Sequence, residues 1–79
     1  MSKIIDQPVL VVTEKEMPKR FFWFKRWVSV SRIMDAWKEV GRWWEEDQEK
    51  TFFRVLSAEG SIYEVYSEKR RWSLYKVYD

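Results

Sequence analysis

Residues Thr51 to Tyr78 read TFFRVLS, AEG, SIYEVYS, EKR and RWSLYKVY: three runs rich in β-branched and aromatic residues, separated by two short polar connectors. Connections this short force neighbouring strands to run antiparallel, so the segment is a three-stranded meander. Gly60 can take the positive φ that the first turn requires. If Glu59-Gly60 closes a two-residue loop, Leu56 lies opposite Tyr63 and Val55 opposite Glu64. Alternation then sorts the side chains onto two faces. One carries Phe52, Arg54, Leu56, Tyr63, Val65, Trp72, Leu74 and Lys76. The other carries Phe53, Val55, Ile62, Glu64, Tyr66, Tyr75 and Val77. Both faces are largely apolar, which points to a sheet covered on one side and partly covered on the other, as in a small barrel or sandwich.

Working outward, Val9 to Thr13 reads as a short edge strand, with Pro8 at its start where a missing donor is tolerated. Lys19 to Phe24 and Trp27 to Ile33 read as two strands joined by a turn at Lys25-Arg26, a pair that lacks the Asn or Gly favoured in tight hairpins. Ile33, Trp37 and Val40 recur at helical spacing, with Gly41 as a stop, although a bent strand explains the same residues. Trp43-Trp44 and an acidic run, Glu45 to Lys50, follow. The expectation is a single domain over residues 1–79, mainly β. It has five to six antiparallel strands in a small meander barrel or strongly bent sheet, with at most one short helix near 33–40.

Composition sets the limits on chemistry. The chain has 79 residues, six Trp among them, and neither His nor Cys. That removes the thiolate nucleophile, the imidazole base, the disulfide framework and the Cys/His zinc site. The acidic run lacks the spaced ligands and central Gly of a calcium loop. Gly41 and Gly60 are the only glycines, so there is no glycine-rich phosphate loop. The expectation is no enzyme, no catalytic or metal-binding residue, no cofactor and no small-molecule substrate. With 46% hydrophobic and 35% charged residues the chain can build a globular core without a membrane span. Its opening, MSKIIDQPVLVVT, lacks the uninterrupted apolar region and cleavage site of a secretory signal, so a cytoplasmic location is expected.

A net charge of +2 does not by itself imply nucleic acid; the placement of the charges matters more. Met17 to Arg32 holds Lys19, Arg20, Lys25, Arg26 and Arg32 with no acid, and Lys69, Arg70, Arg71 and Lys76 restore a positive balance near the end. These are either one patch or separate solvated loops. A single-stranded nucleic acid platform needs rings to stack bases and cations to hold phosphates. The candidates are Lys19, Arg20, Lys25, Arg26, Arg70 and Arg71 for phosphates, with Tyr66 and Tyr75 for stacking, since tyrosine carries a polar end that suits a wet face. The alternative for the rings is that they fill a small core, as Trp23, Trp37 and Trp72 are expected to do. Trp43 and Trp44 either anchor a protein partner or pack on opposite sides of a two-layer core. In the partner case, Trp43, Trp44 and the edge strand at Val9 to Thr13 would dock a partner or a second copy by strand addition, giving at most a weak homo-oligomer.

An ordered set of motifs runs through the chain: Pro8-Val9 with Val11; Phe21, Trp23, Arg26 and Val28 to Val30; Ile33, Trp37 and Gly41-Arg42-Trp43-Trp44; Phe53-Arg54-Val55; Tyr63-Glu64-Val65-Tyr66; and Trp72 to Asp79. It resembles a bacterial family of short stand-alone proteins of unknown function. Its Gly-x-Trp-Trp element, Tyr-x-x-Tyr-like strand and terminal Trp…Tyr-Asp are similar to the C-terminal tail of a Y-family translesion polymerase homologue that acts in damage-induced mutagenesis. The resemblance supplies no catalytic residue. It implies a non-enzymatic accessory module associated with DNA repair proteins, such as a repair polymerase, or with single-stranded DNA. The turn at Lys25-Arg26 departs from the pattern, lacking the Gly expected in relatives.

Overall fold

The computed structural model describes residues 2–40 and 49–78. Among these residues seven strands form one antiparallel sheet: β1 (Ser2–Pro8), β2 (Leu10–Glu14), β3 (Met17–Trp23), β4 (Arg26–Glu39), β5 (Lys50–Ser57), β6 (Ile62–Glu68) and β7 (Arg71–Tyr78). The hydrogen-bonded order is β1-β7-β6-β5-β4-β3-β2. In a flat sheet the two outermost strands would stand roughly 29 Å apart, six spacings of about 4.8 Å. Here they are consecutive in the chain, and the one residue between them, Val9, can span at most about 7 Å. The sheet must therefore curl into a half-barrel, and the Val9 amide bonds to the Trp72 carbonyl at 3.1 Å where its two ends approach.

The concave side holds the core. Phe21, Val28, Val55, Val65 and Leu74 are fully buried there, with Phe53 and Tyr63 beside them. Each such apolar side chain contributes about 1.5–3 kcal/mol by leaving water. Phe21 meets Tyr63 edge-on at 5.2 Å, tying β3 to β6 across the hollow of the curl. Trp23 and Trp72 pack against this core as expected.

Four expectations are corrected. The strand count is seven rather than five or six, because Ser2–Pro8 forms its own strand, disguised in sequence by Asp6, which stands at φ 47° in the irregular pairing between Ile4 and Gln7. Among the described residues there is no helix: at 33–40, where the sequence allowed either a short helix or a bent strand, β4 runs on to Glu39 as a bent strand. Irregular pairings between Val30 and Arg32, and between Ile33 and Asp35, break its alternation. They put Ile33 on the core side and Trp37 outside, where it stacks on Phe52, so their four-residue spacing imitated a helix and Trp37 is not a core ring.

The turn after β3 lies one residue early, at Phe24-Lys25, with Trp23 paired to Arg26. That displacement shifts the β3–β4 pairing by two residues and keeps its faces, whereas the register of β5 with β6 slips by one, since Val55 pairs with Tyr63 and Leu56 with Ile62. A one-residue slip exchanges faces. Phe53 and Val55 therefore join Tyr63 and Val65 inside, while Phe52, Arg54 and Leu56 join Glu64 and Tyr66 outside.

Candidate functional site

Because Phe21 and Val28 point into the core, the alternate residues of the β3–β4 hairpin must face outward. Leu10, Phe22 and Trp27 are register partners across β2, β3 and β4 and stand in one row; Val12, Arg20 and Ser29 form the next. Phe22 meets Trp27 edge-on at 5.4 Å, and the Arg20 guanidinium lies 5.0 Å over the Trp27 ring. These side chains are exposed: Phe22 at 39%, Trp27 at 44% and Leu10 at 69%, while Phe24 in the turn reaches 81%. Together they make a contiguous apolar surface crossed by a cation.

The hairpin also gathers four of the cations singled out in the sequence. Arg20 flanks Trp27, Lys19 precedes it at the irregular pairing with β2, Lys25 occupies the turn, and Arg26 opens β4. Arg26 donates to Glu59 from the β5–β6 turn, and that carboxylate raises its already high pKa further. Lys25 and Arg26 thus sit at the end of the half-barrel that carries the β3–β4 and β5–β6 turns. Arg70 and Arg71 lie at the other end, in and after the β6–β7 turn, because successive turns of a meander alternate ends. The two basic segments do not form one patch.

The expectation that the Tyr66 and Tyr75 face is the wet one is corrected. Tyr66 is buried at 8% exposure and Tyr75 is half-buried. Tyr66 donates its hydroxyl to Asp6 Oδ1 at 2.6 Å, and its ring packs on Phe52 at 5.0 Å. Burial pushes its pKa up, with the Asp6 hydrogen bond adding to the rise. Tyr75 meets Phe52 edge-on at 5.4 Å and Tyr66 at 6.1 Å. Neither ring offers an open stacking face. Trp43 and Trp44, with Gly41 and the acids Glu45, Glu46 and Asp47, lie outside the described residues.

Sequence reasoning missed Phe22, Phe24 and Trp27. Residues 21–24 are aromatic at both parities, so alternation alone marks no face; the rings that are wet are those on the face opposite Phe21 and Val28, which the curl of the sheet turns into the core.

The family described as a domain of unknown function (DUF6504) matches residues 1–79. No curated protein and no solved structure matches the chain.

Proposed function

The chain belongs to the DUF6504 family, a domain of unknown function, and we propose that it is a non-enzymatic module binding single-stranded nucleic acid through the outer face of β2, β3 and β4. The observation that carries this reading is the row Leu10, Phe22 and Trp27 with Arg20 stacked on it: exposed rings held on a rigid hairpin beside cations. Phe22, Phe24 and Trp27 would take bases, at about 1–3 kcal/mol per stacked base. Lys19, Arg20, Lys25 and Arg26 would hold phosphates. With four contacts of that kind, log K should fall against log salt with a slope of about −3. The sequence likeness to a translesion polymerase tail supports a setting in DNA repair.

The test is a titration of Trp emission with an oligothymidylate at low salt, repeated as salt rises and on Trp27→Ala. Saturable quenching that weakens with salt and falls at least about 5-fold in Trp27→Ala is expected. Emission unchanged through about 50 μM oligonucleotide would remove this reading.

A second reading has its own observation. Among the described residues β2 has a hydrogen-bonded strand neighbour on one side only, and Leu10 and Val12 on it are exposed. A protein partner, or a second copy of the chain, could add a strand there. Such association would be insensitive to salt, which separates the two readings in one experiment. No described helix is long and apolar enough to cross a membrane.

A further inference from the structure

The far end of the half-barrel, where the β2–β3 and β6–β7 turns come together, opens into a cavity of about 670 Å³. That volume lies within the range of small-molecule sites, about 300–1,000 Å³. Its apolar wall is Phe53 and Trp72, whose rings pack at 5.6 Å with a 31° tilt. Thr51 and Ser67 add hydroxyls beside them, and Lys15, Lys38 and Arg70 bring positive charge to the lining against Glu16.

The cations are not equivalent. Lys38 has Glu49 at 3.7 Å, whereas among the described residues no carboxylate lies within 4 Å of Lys15 or Arg70. Both are turn residues at positive φ, 52° for Lys15 and 67° for Arg70. Glycine or asparagine would fill those positions with less backbone cost, so neither cation serves its turn. What the two long side chains do share is the cavity they line.

We propose that this end of the half-barrel binds a small planar aromatic anion, its ring against Trp72 and Phe53 and its carboxylate or phosphate between Lys15 and Arg70. Ring and charge are both required. The wall alone would accept any apolar molecule, and the cations alone any anion; the combination selects ligands that carry the two together. The site is independent of the outer hairpin face and of whatever binds there.

The probe is 2-naphthoate, followed by amide and indole chemical shifts in the ¹⁵N spectrum, with 2-naphthol as the ring without the charge and cyclohexanecarboxylate as the charge without the ring. Saturable shifts at Thr51, Ser67 and the Trp72 indole are expected for 2-naphthoate, with at least about 10-fold weaker binding of both analogues. The double variant Lys15→Gly, Arg70→Gly keeps residues suited to the turns and should bind 2-naphthoate at least about 10-fold more weakly. Trp27→Ala should bind it as the unchanged protein does. Equal affinity for 2-naphthol, shifts centred on Leu10, Phe22 and Trp27, or no saturable shift up to about 5 mM would each overturn the proposal.

Discussion

The outside of the half-barrel carries two aromatic clusters that are alike in composition and opposite in state. On β4, β5, β6 and β7, Trp37 stacks on Phe52 at 5.5 Å and 4°, and Tyr66 and Tyr75 close around the same Phe52. On the hairpin, Phe22, Trp27 and Phe24 stand open. Each cluster has an arginine over a tryptophan, Arg54 over Trp37 at 5.3 Å and Arg20 over Trp27 at 5.0 Å. Phe52 is nonetheless 4% exposed and Phe22 39%. The difference comes from position in the sheet. β5 and β6 are central, with strands on both sides, and Asp6 of β1 reaches Tyr66 across β7; β3 is flanked by an edge strand. Whether a ring on an outer face is covered is decided by the side chains that neighbouring strands set beside it, Trp37, Tyr66 and Tyr75 around Phe52 but Leu10 and Trp27 beside Phe22, which no local stretch of sequence records.

The contrast can be broken most directly by truncating one ring from each cluster. Phe52→Ala removes a buried ring and should cost about 3–5 kcal/mol. Trp27→Ala, which removes a ring that is already wet on one side, should cost no more than about 1 kcal/mol. Urea unfolding of the two variants compares them directly. Similar losses would mean that the hairpin rings hold the fold rather than await a ligand.

The hairpin's own stability resides in its turn as much as in its rings. Phe24 and Lys25 have φ of 57° and 62°, a conformation that costs a residue with a Cβ roughly 1–2 kcal/mol and a glycine almost nothing. The double variant Phe24→Asn, Lys25→Gly should therefore gain about 1–2 kcal/mol, read as a rise in Tm. It should also bind an oligonucleotide more weakly, having lost a ring and a cation. A gain in stability with unchanged binding would confine the candidate surface to Phe22, Trp27 and their neighbours.

The meander of residues 51–78 was legible in the sequence because its runs and connectors are short and its apolar residues dense. The hairpin before it was legible too, but its turn was not. Tight antiparallel turns favour Asn and Gly, and this chain makes three of them from Lys15-Glu16, Phe24-Lys25 and Lys69-Arg70, all at positive φ. Moving a two-residue turn by one residue shifts the pairing by two and keeps the faces, so Phe22 and Trp27 went unmarked because the aromatic run 21–24 gives alternation nothing to sort. A one-residue slip between β5 and β6 left Phe52 on the side opposite Tyr66, so the ring that covers Tyr66 was not recognised and Tyr66 was expected to be exposed. Of the cations expected to hold phosphates, Lys19, Arg20, Lys25 and Arg26 belong to the β3–β4 hairpin. That Arg70 and Arg71 lie elsewhere follows from strand order, a long-range property.

Tyr66 gives the comparison its pH dependence. Its pKa is raised from 10.0 by burial first and by the Asp6 hydrogen bond second, so the folded chain resists ionising it more than the unfolded chain does. The stability this contributes is fully present below pH 10 and is lost as pH climbs from there through the raised folded value. Tyr66→Phe keeps the ring on Phe52 and deletes the hydroxyl, at a cost of about 1 kcal/mol near neutral pH. Raising the pH past 10 should draw stability from the unchanged protein and not from the variant at this position, so the gap between their urea midpoints should narrow. Trp27→Phe, in the open cluster, has no ionising group to lose and should run parallel to the unchanged protein over the same range. If the Tyr66→Phe gap stays constant into the alkaline range, Tyr66 ionises as readily folded as unfolded, and the cluster around Phe52 is as open to water as the hairpin.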